Sequence, residues 1–124
     1  MVMTEQQVIK SKFKRLLSAQ IIQFPAKRRK LEAPLRRGVY IIYNSSGMPV
    51  HVGCTPRAKY GLYQRLENHL QGQSSFVEKF FDGDGSKLRE EYSFSYLALT
   101  SGRQIKLLEA YAIGMLCPKH IGEG

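Results

Sequence analysis

Long apolar runs, cysteines and acidic residues are all scarce in this chain, and each scarcity removes a class of protein. No stretch reaches the roughly 18 consecutive apolar residues that a membrane-spanning helix needs, so no membrane span is expected. Two cysteines cannot build a disulfide framework, which makes a reduced, cytoplasmic setting the expectation. The start, Met1-Val2-Met3-Thr4-Glu5, lacks a basic region followed by a long apolar stretch, so secretion is not expected. Internal repeats are absent as well. What remains is a chain of 124 residues, one domain's worth, with an ordinary globular balance of 43% hydrophobic and 23% charged residues.

The shortage of acids is the more informative one. Ten Asp and Glu face 19 Lys and Arg, for a net charge of +9. Residues 1–37 carry 10 of the bases and only two acids, Glu5 and Glu32, while the rest of the chain is nearly balanced. So lopsided a charge points to a polyanionic partner, nucleic acid or an anionic membrane surface, and nucleic acid is the expectation here. The division implied is a basic helical arm and linker over 1–37 and a body over 38–124.

Hydrophobic periodicity gives the elements. Thr4 with Gln7 forms a capping box for a helix over 4–20, with Ile9, Phe13, Leu16 and Leu17 as its apolar stripe. Pro25 to Arg37 reads as a basic linker. Val39–Tyr43 and Met48–Val52 read as strands around the turn Asn44-Ser45-Ser46-Gly47, in a register that sets Tyr40 directly opposite His51. A helix over 61–71 carries Leu62, Leu66 and Leu70. A shorter helix runs from Ser75, with Glu78 in its cap, to Phe81, and 82–86 is a loop. Tyr92–Leu99 alternates as a strand, and Ser101 with Gln104 caps a last helix that runs to about Leu116 before Pro118.

Two helices place polar groups where apolar ones belong. Glu109 is the only charged residue between Lys106 and Lys119, in an otherwise apolar helix. A buried carboxylate costs several kcal/mol unpaired, so it calls for a cation, a metal ion or an exposed edge. Arg65 or Arg103 could equally supply a plain salt bridge. Arg65 and His69, one turn apart, intrude beside the leucine row of the 61–71 helix, a pattern suited to an anion. Tyr40, His51, Arg65, His69 and Glu109 together hold a base, a phosphate clamp and a hard oxygen ligand, the parts that phosphodiester hydrolysis needs.

Gly38-Val39-Tyr40, ten residues, then His51-Val52-Gly53 resembles the paired signature of the GIY-YIG nuclease superfamily. Arg65, then Glu109 in a late helix, then Pro118, follow in that superfamily's order, so the resemblance spans roughly 38–121. The Arg65-x-x-x-His69 spacing and the loop from Cys54 to Tyr60 are closer to the restriction-enzyme branch than to the excision-repair branch. The chain departs from the family in carrying His51 for the usual Tyr, Cys54 where many members have Lys, and no Asn near Pro118.

The resemblance implies an α+β core, a small three-stranded antiparallel sheet flanked by helices, here preceded by the N-terminal helix and basic linker. It also implies a divalent-metal-dependent endonuclease acting on DNA, with RNA left open. Tyr40 and His51 would activate or position water, Arg65 would steady the phosphate, His69 would assist either task, and Glu109 would hold one Mg²⁺ or Mn²⁺. Lys27, Arg28, Arg29, Lys30, Arg36, Arg37, Arg57 and Lys59 would contact phosphates. Phosphate contacts position a protein without reading bases, so low sequence specificity is expected unless a partner subunit supplies it. A double-strand cut would call for a homodimer or two encounters. The alternative is a non-catalytic nucleic-acid-binding module with a decayed site, and a lesser one is a zinc site from Cys54, Cys117 and His120. On the arm-and-body division, removing 1–37 would weaken nucleic-acid binding and flatten its salt dependence.

Overall fold

The computed structural model describes residues 2–56 and 59–121. Its centre is β2, Gly38–Tyr43, whose residues are all buried. A strand alternates its side chains between two faces, so Val39, Ile41 and Tyr43 enter one apolar core while Tyr40 and Ile42 enter another. β2 lies between β3 (Pro49–Thr55) and β4 (Ser93–Ala98), and a two-residue strand β1 (Ile22–Gln23) extends the sheet in the order β1-β4-β2-β3. All the pairings between these strands are antiparallel. The sheet therefore has four strands where three were expected. Ile22 and Gln23 pair with Phe94 and Ser93, but two residues ahead of Pro25 are too few to carry a period.

Helices cover both faces. α1 (Glu5–Ser18) and α5 (Gly102–Leu116) bury Ile9, Phe13, Leu16, Ile105, Leu108 and Ala112 with the odd residues of β2. The Thr4–Gln7 capping box closes α1 as expected, whereas Leu17 is exposed. On the opposite face α2 (Gly61–Leu70) and α3 (Ser75–Phe81) bury Leu62, Leu66, Leu70, Phe76, Val77 and Phe81 around Tyr40 and Ile42. Ser74, not Ser75, caps α3, its hydroxyl accepting from Val77 N. A 3-10 turn (Gly85–Lys87), overlapping the expected loop over 82–86, and a short α4 (Leu88–Glu91) follow before β4.

The β2–β3 register differs from the sequence expectation. Tyr40 pairs with Gly53, and His51 with Ile42. The turn closes as a three-residue loop, with Asn44 N donating to Met48 O and Gly47 at φ 79°, and the register shifts between Ile42 and Tyr43. Val50 is the extra residue of that bulge. Beyond the bulge the pairing is moved by two residues, which keeps His51 on the face of Tyr40, whereas Val50 crosses to the core of Tyr40 and Ile42.

Residues 1–37, expected as an arm and linker, contribute Ile9, Phe13, Leu16, Phe24 and Leu31 to the two cores. The linker also serves as a cap. Arg36 O and Pro34 O accept from Leu62 N (2.7 Å) and Tyr63 N (3.0 Å) at the start of α2. Arg89 donates to Pro25 O at 3.0 Å. Removing 1–37 would therefore open both cores before any salt dependence could be read. Leu16, fully buried, is the sharpest probe. Leu16→Ala should cost about 2–5 kcal/mol in urea unfolding, while a cost under about 0.5 kcal/mol would mean that α1 is not part of the folded body.

Candidate active site

β3 is an edge strand, and helices from both layers reach past it. α2 brings Arg65 from one side and α5 brings Glu109 from the other. Between them lies a cleft of about 390 Å³, lined by His51, Gly53, Cys54, Arg65, Lys106 and Glu109 among others.

Tyr40 reaches this neighbourhood by an unusual route. A Cβ on Gly53 would lie 2.3 Å from the Tyr40 hydroxyl and 2.4 Å from Cζ, so the ring occupies the space of the missing side chain. Only glycine at 53 permits that close approach. The hydroxyl meets His69 Nε2 at 2.7 Å, and His69 Nδ1 meets Ser74 Oγ at 2.7 Å. Tyr40 and His69 are both fully buried. Burial drives the phenol well above its usual range, and the Arg65 guanidinium beside it opposes this only in part. Arg65 lies beside the phenol oxygen, its positive charge facing it.

His51 stands beside this chain, its ring centroid 5.9 Å from Tyr40 and 5.2 Å from His69, stacked on Phe76 at 4.8 Å. Burial foremost, with His120 and Arg65 adding, lowers its pKa to about 3, and burial likewise holds His69 and His120 below the histidine range. His120 had been weighed only as a zinc ligand. In the fold it forms a parallel bridge to His51, donates its N–H to Val50 O at 3.0 Å, and places Nδ1 3.0 Å from His51 Nδ1. No local pattern marks that contact, since 69 residues separate the two imidazoles.

Glu109 is half-buried. Neither expected salt bridge forms. Arg103 makes a bidentate pair with Glu5 at 2.7 and 2.9 Å, the only ion pair among the described residues, and Arg65 lies against Tyr40. Its neighbour is Cys54, whose thiol is pushed up to about 12 by burial first and then by the Glu109 charge. The thiol therefore stays protonated and does not compete as a thiolate. Among the described residues no three His, Cys, Asp or Glu gather as a metal cage. Cys117 is exposed and turns its thiol to Gly114 O, which removes the zinc reading. One hard carboxylate on an open cleft suits Mg²⁺, which keeps most of its waters and takes one or two carboxylates.

The basic residues divide. Lys27, Arg28, Arg29, Lys30 and Arg36 are exposed. Lys59 is exposed too and lies over the Tyr60 ring at 5.4 Å. Arg37 is instead a strut, its guanidinium donating to Pro56 O and Thr100 O. Arg57 lies outside the described residues. No helix among the described residues is long and apolar enough to cross a membrane.

Three buried imidazoles make acid stability distinctive. An unfolded histidine takes up its proton near pH 6.5, whereas native His51 waits until about pH 3 and His69 also lies well below 6.5. The unfolded chain thus binds more protons as pH falls, and native stability is lost on the acid side. The unfolding free energy from urea titration should start to decline near pH 6.5, by about 1.4 kcal/mol per pH unit for each of these two residues, and His51→Phe should lessen the slope. A flat profile from pH 8 to 5 would contradict this.

No protein-family model matches the sequence, and no curated protein matches it. Solved structures do. The GIY-YIG N-terminal endonuclease domain of UvrC from Thermotoga maritima, bound to its catalytic divalent cation, magnesium, is 26% identical with a TM-score of 0.54, over 97% of this chain and 100% of that one. A tyrosine-to-phenylalanine point mutant of that domain gives the same values. An asparagine-to-alanine mutant gives 24% identity and a TM-score of 0.51, over 98% of this chain and 100% of that one. These neighbours are excision-repair domains, so the expected closeness to restriction enzymes is not what the comparison returns. The chain has the α+β fold of the GIY-YIG endonuclease domain, an antiparallel sheet flanked by helices.

Proposed function

We propose that this protein is a divalent-metal-dependent endonuclease that hydrolyses DNA phosphodiester bonds with little sequence preference. The observation that carries the reading is convergence. An imidazole, a guanidinium and a carboxylate line one cleft at the β3 edge, and the Tyr40–His69 pair lies buried behind Gly53 and Arg65. The Thermotoga domain of the same fold, solved with magnesium as its catalytic cation, supports it.

Each residue then has a task. Glu109 would hold the Mg²⁺ or Mn²⁺ ion, which supplies charge stabilisation to the phosphate and the leaving oxygen. Arg65 donates to the non-bridging oxygens as charge builds on them. Tyr40, fully buried and joined to His69 Nε2 at 2.7 Å, holds the Arg65 guanidinium toward the phosphate, and the attacking water gives up its proton to solvent in the cleft. His51, which lines the cleft, is too weakly basic to take that proton at pH 7 and would help to position the water. One such site cuts one strand, so duplex cleavage calls for a second copy or a second encounter.

Low specificity follows from what is exposed. Lys27, Arg28, Arg29 and Lys30 offer flexible cations for phosphates and no rigid element for a groove. Changing those four to alanine should lower affinity on every DNA sequence alike and reduce the slope of log K against log salt by up to about 3–4. An unchanged slope would take them out of the interface.

Nicking of a plasmid with Mg²⁺ or Mn²⁺ tests the enzyme itself. Glu109→Gln should abolish metal-dependent nicking, and Tyr40→Phe, which removes the oxygen beside Arg65, should slow it roughly 10–100-fold, the worth of a hydrogen bond to a charged group. DNA binding without cleavage across metals and protein concentrations would replace the enzyme with the binding module.

A further inference from the structure

We propose that Tyr60 and Tyr63 form a stacking site for an unpaired DNA base, so that the preferred substrate carries a locally single strand, such as a gap or flap, instead of intact duplex. The site lies at the start of α2, in a hollow of about 470 Å³ lined by Lys30, Ala33, Leu35, Tyr60, Tyr63 and Gln64. Backbone contacts fix its walls. Leu62 N donates to Arg36 O at 2.7 Å and Tyr63 N to Pro34 O at 3.0 Å, which ties the 33–36 segment to the first turn of the helix. A Cβ on Gly61 would lie 2.1 Å from Arg36 O, so glycine is what lets the two chains come that close. The hollow is therefore formed before a ligand arrives, as binding sites of this size usually are.

Its lining is apolar and aromatic at the surface. Leu35 is 61% exposed and Tyr60 50%. One exposed leucine needs no explanation, but a leucine and two phenols around one concavity mark a binding patch. Tyr60 also sits at φ 64°, the left-handed region that a bulky residue rarely adopts, and its side chain makes no cap for α2. The ring is thus held at the hollow against the preference of its own backbone. Charge selects the occupant. Lys30 lines the hollow, the Lys59 ammonium lies over the Tyr60 ring at 5.4 Å, and Arg36 is exposed on the adjoining wall. Among the described residues no acid lines it, and Glu32 lines a separate pocket beside Arg29. Aromatic faces for bases, with cations for the phosphates between them, are the two parts of a single-strand site. An apolar protein segment would leave the cations unpaired, and intact duplex keeps its bases stacked on each other, away from the phenols. Gln64 and Arg65 are consecutive, so the hollow and the catalytic cleft lie on different sides of α2. A helix is about 10–12 Å across, a path of about three nucleotides at about 3.4 Å each.

The base site stands apart from any activity, whereas cutting of the strand it holds rests on the hydrolytic reading above. Fluorescence anisotropy of the full chain in EDTA, where no metal-dependent cutting occurs, measures Kd for an oligothymidylate of about 12 nucleotides and for a duplex of about 20 base pairs. Tyr60→Gly removes the ring and relaxes the backbone, so it should unfold in urea no earlier than wild type. It should weaken single-strand binding at least about fivefold, the low end of what stacking one base contributes, with duplex binding within about twofold. Tyr60→Trp should keep or raise single-strand affinity, and Tyr63→Leu should lower it. Equal losses on both probes, no loss on the single strand, or a wild type that binds only duplex would each overturn the proposal. With Mg²⁺, wild type should cut a duplex carrying a gap of about three nucleotides faster than an intact one, and Tyr60→Gly should level the two through KM. Equal cutting of both by wild type overturns the substrate preference. A wild type that binds through the ring and cuts neither overturns the hydrolytic reading and leaves the base site standing.

Discussion

A tyrosine ring lying where a side chain at position 53 would lie is the constraint on which the rest of the site depends. Tyr40 issues from the central strand, fully buried, and its hydroxyl reaches His69 only by crossing Gly53. The strand pairing makes this possible by setting the glycine directly opposite the tyrosine. His69 is held in turn by Ser74, whose hydroxyl also caps α3. A single hydrogen-bonded line thus joins the sheet, α2 and the start of α3, and its open end is the phenol oxygen beside Arg65.

The electrostatics of the cleft follow from burial more than from pairing. Imidazoles are cheap to bury neutral and costly to bury charged, so three of them around Phe76 stay unprotonated where a surface histidine would titrate. Arg65 is the counterweight, a fixed cation at the rim that holds protons off its neighbours. Glu109 sits across the cleft on the other helical layer, with Cys54 protonated beside it. Anionic substrate and a divalent cation would each find one face of complementary charge.

Much of this was legible in the residues themselves, for physical reasons that also explain what was not. The capping pairs Thr4–Gln7 and Ser101–Gln104 and the apolar rows of α1 and α2 act within a few residues, and they mark their helices. Tyr40, His51, Arg65 and His69 could be placed together because strand and helix periods decide faces, and a two-residue register error leaves faces intact. The register itself was hidden in the Val50 bulge and a three-residue turn. β1 and α4 are too short for a period. His120 escaped because its place depends on the chain after α5 returning to a strand edge 69 residues away, and Arg37 because a guanidinium bound to two carbonyls looks, in sequence, like any other basic residue.

The central claim is that Glu109 faces an ion-binding cleft shared with Arg65, His51 and Gly53. Titrating the full chain with Mn²⁺ and following paramagnetic broadening of its amide resonances tests this without any nucleic acid. Broadening at substoichiometric Mn²⁺ should centre on Gly53, Cys54 and Glu109, and Glu109→Gln should remove it. Broadening centred instead on the acidic stretch from Asp82 to Glu91, with Glu109 untouched, would contradict it.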